Sequence, residues 1–251
     1  MRNPLRMACL VLIAAGCCAA YLIHDLNGSF DYALPKRAVK VIAMIITGFT
    51  IAYATVVFQT ITHNRILTPS IMGLDALYLL LQTVIIFFLG SDHLAVVNRQ
   101  VNFLISIVVM IIFALILYRF LFKKGSQSIY FLLLVGIIVG TFFSSISTFF
   151  QVLIDPNEFQ IVQDRMFASF NNINSDLVWL ALLLVSVVTI YAWRYMKYLD
   201  VLSLGREWAI NLGVPYDSIV KKMLVIVAVF ISISTALVGP ITFFGLIVAN
   251  L

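Results

Sequence analysis

Ile129-Tyr130-Phe131-Leu132-Leu133-Leu134-Val135-Gly136-Ile137-Ile138-Val139-Gly140-Thr141-Phe142-Phe143-Ser144-Ser145-Ile146-Ser147-Thr148-Phe149-Phe150-Gln151-Val152-Leu153 is an uncharged run of 25 residues, long and apolar enough to span a bilayer. A bilayer core about 30 Å thick takes roughly 20 apolar residues per helical span. Lipid offers no water to the backbone, so a run of this kind must close its own hydrogen bonds as a helix. Barrel strands would alternate apolar and polar positions over about ten residues, and that alternation is absent here.

Comparable runs lie at 7–23, 41–60, 69–89, 101–118, 177–193 and 223–239, which predicts seven complete spans. An eighth begins at Ile241 and reaches only to Leu251, too short to cross, so the chain is expected to be incomplete at its C-terminal end. The expected fold is an all-α, polytopic membrane helix bundle forming one transmembrane domain over 1–251. Composition agrees: 63% of residues are hydrophobic and 11% charged, where soluble domains carry about 25% charged residues.

The formal charge of +5 does not indicate nucleic acid, because the basic residues sit in short clusters between apolar runs. Such clusters set orientation. Of the 16 Lys and Arg residues, Arg2, Arg6, Arg65, Arg119, Lys123, Lys124, Arg194, Lys197, Arg206, Lys221 and Lys222 fall on one side; Lys36, Arg37, Lys40, Arg99 and Arg165 fall on the other. The first side is expected to be cytoplasmic, with the N-terminus inside. Arg2, Arg6 and Ala14-Ala15-Gly16-Cys17 also fit a signal peptide or lipoprotein signal; its removal would leave later spans oriented as before. Cys9, Cys17 and Cys18 share the first run and read as packing residues.

Between the sixth and seventh spans, Leu202-Ser203-Leu204-Gly205-Arg206-Glu207-Trp208-Ala209-Ile210-Asn211-Leu212-Gly213-Val214-Pro215 is too polar to span and too patterned for a slack loop. Ser203 can cap a short helix, Gly213 can end it, and Pro215 stops its continuation. A helix over 202–214 with Trp208 on one surface and Arg206 and Glu207 on another can press into a groove of a soluble partner. An interfacial helix that only anchors the chain fits the same pattern.

Leu204-Gly205-Arg206-Glu207 through Leu212-Gly213-Val214, followed one span later by Val238-Gly239-Pro240-Ile241-Thr242-Phe243-Phe244-Gly245-Leu246-Ile247-Val248, resembles the iron-siderophore and vitamin B12 importer permeases of FecCD type, the catechol- or mixed-type siderophore permeases among them. Arg37, Lys40, Gly48, Gln59, Asn64, Pro69 and Gly73 extend the resemblance at that family's spacing. Val39, Lys40, Arg65-Ile66-Leu67 and Ala249-Asn250 depart from it.

The resemblance implies a membrane subunit of an ATP-driven importer that moves iron-siderophore complexes across a bacterial inner membrane by alternating access, with about nine to ten spans at full length. It implies that Leu204, Gly205, Arg206, Glu207, Trp208, Ala209, Leu212 and Gly213 form the coupling helix against a separate ABC ATP-binding subunit. No cofactor is then expected on this chain, ATP and Mg belong to that partner, and no phosphate-binding G-x-x-x-x-G-K-[ST] loop occurs here. It further implies a second permease, identical or related, and a periplasmic or lipoprotein substrate-binding protein received by Arg37 and Lys40. Snorkelling at a helix end is the alternative for those two side chains.

Gly136, Gly140, Ser144 and Thr148 recur every four residues and form one ridge. A packing seam is the simpler reading; in the resembled family this helix also lies near the translocation path. Asp75, an acidic group in an apolar run, is a functional candidate, or else reaches cytoplasmic water or pairs with Arg65. Asp155, Glu158, Asp164 and Asp176 read as a solvated loop, since their spacing fits no calcium loop. His24, His63 and His93 fall in separate loops, so no shared metal is expected. An ion-coupled secondary transporter is the alternative, although it would show ionisable or broken-helix sites near the midplane. No intramembrane enzyme motif is present, so the chain is not expected to be an enzyme.

Overall fold

The apolar runs form helices that assemble around one of their number. The computed structural model describes residues 4–23, 30–90, 93–121, 129–171 and 173–250. In chain order these hold α1 (Pro4–Ile23), α2 (Phe30–Thr62), a 3-10 turn (Pro69–Met72), α3 (Leu74–Leu89), α4 (Leu94–Val97), α5 (Arg99–Leu121), α6 (Ile129–Leu153) and α7 (Pro156–Met166). They continue with α8 (Ser175–Trp193), α9 (Met196–Leu202), α10 (Arg206–Asn211), α11 (Tyr216–Val238) and α12 (Phe244–Asn250). α11 is the axis, buried along most of its length against α2, α5, α8 and α3.

Five stretches are long and apolar enough to cross a membrane: Ala33–Thr62, Arg99–Phe120, Phe131–Leu153, Ser175–Trp193 and Tyr216–Val238. These make the chain a polytopic membrane helix bundle. The first and third expected spans correspond to shorter apolar helices, Ala8–Ile23 and Leu74–Leu89. The third starts later than the hydropathy suggests, because Thr68 is extended before Pro69, the next residues tighten into the 3-10 turn, and Gly73 at φ 80° resets the chain.

That turn lies inside the bundle. Gly73 packs on Gly140, half-way along α6, and a Cβ built on Gly73 would stand 3.0 Å from the Gly140 Cα. A Cβ on Gly136 would stand 2.9 Å from both the Ile71 carbonyl and the Met72 Cα. Only glycine on α6 lets this non-helical backbone approach. Irregular backbone at membrane depth is tolerated where protein covers it, and here α6, α2, α3 and α11 do so.

Two further expectations change. The acidic stretch after α6 is helical over Pro156–Met166: Asp155 accepts a bond from Asn157 N–H at 3.0 Å, and Pro156 opens the helix. Asp155, Asp164 and Asp176 are exposed as expected, but Val162 is buried. The cysteines do not pack in the core either. Cys9 and Cys17 are exposed and Cys18 is half-buried, because α1 sits at the periphery against α2.

Candidate functional site

The crossbar between α8 and α11 is two short helices, not one over 202–214. Ser203 does not cap the second: its hydroxyl donates to the Asp200 carbonyl at 2.6 Å and so closes α9. Gly205, at φ 105°, makes the break and stands before α10. α10 ends as expected at Gly213, with Val214 N–H on the Ala209 carbonyl at 3.0 Å and Gly213 N–H on the Ile210 carbonyl at 2.9 Å. Pro215 then leads directly into α11.

Ala209 is the root of this element, with none of its surface exposed, whereas Leu204, Trp208, Ile210 and Leu212 are 50–65% exposed. Arg206 reaches Asp217 at 3.7 Å and lies over the Tyr216 ring at 5.9 Å, tying α10 to the first turn of α11. The result is a seated lever that presents apolar side chains outward.

Asp75, Gly136, Gly140 and Ser144 meet along one open groove of about 520 Å³, with Thr242 and Pro240 closing its other wall. The four-residue ridge divides within that groove. Gly136 and Gly140 form the seam with the 3-10 turn, while Ser144 and Thr148 are exposed, Thr148 beyond the groove lining. Asp75 is 7% exposed and accepts a hydrogen bond from the Thr235 hydroxyl of α11 at 3.0 Å. It is therefore buried inside the bundle and bonded to α11, whereas Arg65 is exposed.

At the opposite end from the crossbar, Arg37 and Lys40 share an open cavity of about 730 Å³ with Lys36 and Arg99. Arg37 donates to the Tyr21 carbonyl at 3.1 Å and Lys40 to Asn171 Oδ1 at 3.2 Å. Arg99 from α5 was not singled out by the sequence; neighbouring-residue patterns do not bring it to α2.

A polar network inside the same end was also missed. Gln82 and Asn102 exchange amide hydrogen bonds at 3.1 and 3.2 Å, and Gln82 donates to Ser106 at 2.9 Å. Arg165 donates to Gln82 Oε1 and to the Val96 carbonyl, joining α7 to α3 and α4. Thr83, Ser147 and Gln151 continue the network into α6. A lone glutamine in the apolar run 74–89 was the available signal.

Gln59 and Asn64 shape the chain reversal after α2: Gln59 donates to the Arg65 carbonyl at 2.6 Å, and Ile66 N–H donates to Asn64 Oδ1 at 3.0 Å. His63 and His93 are exposed, and His24 lies outside the described residues, as do Arg2, Lys123 and Lys124. Among the described residues, no group of three or more His, Cys, Asp and Glu could hold a metal ion.

A model of the FecCD transport family matches residues 7–251. The chain is 57% identical over 251 residues to the petrobactin import system permease protein YclO of Bacillus subtilis (strain 168), covering 100% of this chain and 79% of that protein. It is 39% identical over 249 residues to the petrobactin import system permease protein FatC of Bacillus anthracis, covering 96% and 70%. With FatD of the same organism, also a petrobactin import system permease, it is 28% identical over 257 residues, covering 99% and 73%. A solved inward-facing structure of a metal-chelate type ABC transporter superposes with a TM-score of 0.82 at 21% identity, covering 97% of this chain and 78% of that one.

Proposed function

The chain belongs to the FecCD transport family, and from that premise we propose that its cargo is ferric petrobactin or a chelate of the same chemistry. It is the permease subunit of a siderophore ABC importer, a transport component and not an enzyme. Identity of 57% across the whole chain to a permease of a petrobactin system is what supports this cargo. The presence of FatC and FatD among the relatives supports a second, related permease as partner.

The working parts lie along α11. A separate ATPase grips Trp208, Ile210 and Leu212, with Glu207 at the rim; its nucleotide-driven motion enters α11 through Ala209, Tyr216 and Asp217. α11 runs from that junction to Thr235, which holds Asp75 on the wall of the groove. The groove is half of a translocation path that the second permease completes. ATP and Mg stay on the partner. The crossbar end faces the cytoplasm of the bacterial inner membrane, with the N-terminus on the same side. On the outer face, Arg37 and Lys40 receive acidic side chains of a substrate-binding protein, steering encounter more than adding affinity.

Uptake in cells that depend on this permease tests the cargo. Ferric petrobactin is expected to enter, with ferric hydroxamates transported at least about tenfold less well, a difference of about 1.4 kcal/mol. Equal transport of both, or preference for the hydroxamate, would overturn the assignment. The docking role predicts that Arg37→Glu lowers binding-protein-stimulated ATP hydrolysis most strongly at low salt; an unchanged rate would remove it.

A further inference from the structure

Behind the groove, between α2, the 3-10 turn, α11 and the start of α12, lies a cavity of about 10 Å³, the room of one water-sized species. Its polar lining is Asp75, Thr55, Thr68, Ser70, Thr235 and Thr242, with Gly245 closing one side. Two of these groups are buried without a hydrogen-bond partner, Asp75 Oδ2 and Thr55 Oγ1. On α2, Thr55 shares this with Thr47. Thr50, Thr60 and Thr62 each donate back to the carbonyl four residues earlier, at 2.8–2.9 Å, whereas Thr55 is not so bonded.

From this geometry we propose that the cavity binds one monovalent cation of sodium type, coordinated by Asp75 Oδ2 and the surrounding hydroxyl oxygens. Charge decides among possible occupants. A carboxylate inside a helix bundle is costly unless compensated, and the donors to Asp75 are neutral hydroxyls, those of Thr235 and Ser70. Water would satisfy the two orphan oxygens and leave the charge. A proton would cancel the charge and leave the oxygens apart, since neither lies within bonding distance of the other. A cation does both.

Hard oxygen donors suit a hard cation, and a single carboxylate balances a single charge rather than the two of calcium or magnesium. Asp75 is the one ionisable side chain lining the cavity among the described residues. Ser70, Asp75 and Thr242 also line the open groove, which gives the ion a route in. A broken helix beside a buried polar cluster is an arrangement in which membrane proteins hold small cations. The ion neutralises Asp75 and fastens α3 to α11, the helix that the crossbar moves.

The test uses the complete importer in detergent, without siderophore or nucleotide, so that its result is independent of the cargo. Thermal unfolding is compared in sodium chloride and choline chloride at equal ionic strength and fixed neutral pH. Sodium is expected to raise the midpoint by about 3 °C or more. Asp75→Asn is expected to abolish that increment. Thr55→Val keeps the carboxylate and the shape, and is expected to raise the sodium concentration for half-effect at least about tenfold. Identical midpoints in the two salts, or an undiminished increment in Asp75→Asn, would each overturn the proposal.

Discussion

The glycine seam and the crossbar are both short irregular segments joined to long helices, yet one is finished within the chain and the other is not. At the seam, Gly73, Gly136 and Gly140 bring backbone to within about a Cβ's reach of backbone, so the contact is made by the chain with itself. At the crossbar Leu202 and Ala209 are rooted, while Trp208 and its apolar neighbours face outward. A contact that a protein makes with itself shows as small residues; one that awaits a partner shows as large apolar residues on a well-anchored element.

The strongest way to break the comparison is at the seam. Gly136→Leu would drive a side chain into the Ile71 carbonyl and Met72, with backbone on every near side. We expect a loss of about 3 kcal/mol or more, enough to abolish recovery of assembled complex in size-exclusion chromatography. Eight residues along the same helix, Ser144→Trp meets open groove instead, so the complex should assemble while uptake falls at least about tenfold, as tracer accumulation would report. Normal uptake in that variant would separate the groove from the path.

At the crossbar the expectation reverses. Trp208→Ala removes a side chain that is 65% exposed, so thermal stability of the permease should stay within about 0.5 kcal/mol. ATPase retention on purification should fall by about ten- to thirtyfold, as befits a central aromatic anchor of about 2 kcal/mol. Smallest of all is Arg206→Ala. Its ion pair with Asp217 is exposed, so denaturation should register less than about 1 kcal/mol, and less still at high salt.

The helices themselves were legible because hydropathy reports burial in lipid along a regular repeat. α6 begins and ends where its apolar run does, at Ile129 and Leu153. Depth was harder to read. Asp75 reads as lying near the inner surface because a polar loop precedes it, but that loop folds back into the bundle through a 3-10 turn whose entry depends on the far-off Gly136 and Gly140. No local pattern near Asp75 carries that information.

Side-chain partners across helices were hidden for the same reason. Ser144 lies on the ridge visible in sequence, yet Ser147, one face away, joins Thr83 and Gln151. Arg165 reads as part of a solvated acidic loop, because composition averages over a segment whose α7 turns it inward to Gln82. At the crossbar, Ser203 and Gly205 are both acceptable before a helix; the closing bond from Ser203 to Asp200 leaves the break to Gly205.

Photocrosslinking from Glu207 and Ile210 in native membranes tests the central claim most directly, since both side chains are exposed whereas Ala209 beside them is buried. With a photoreactive residue at either position, we expect capture of the nucleotide-binding subunit of the importer, with a yield that changes when ATP is trapped on it. Crosslinks only to lipid or to the permease itself would contradict the lever, and α10 would then be an interfacial anchor.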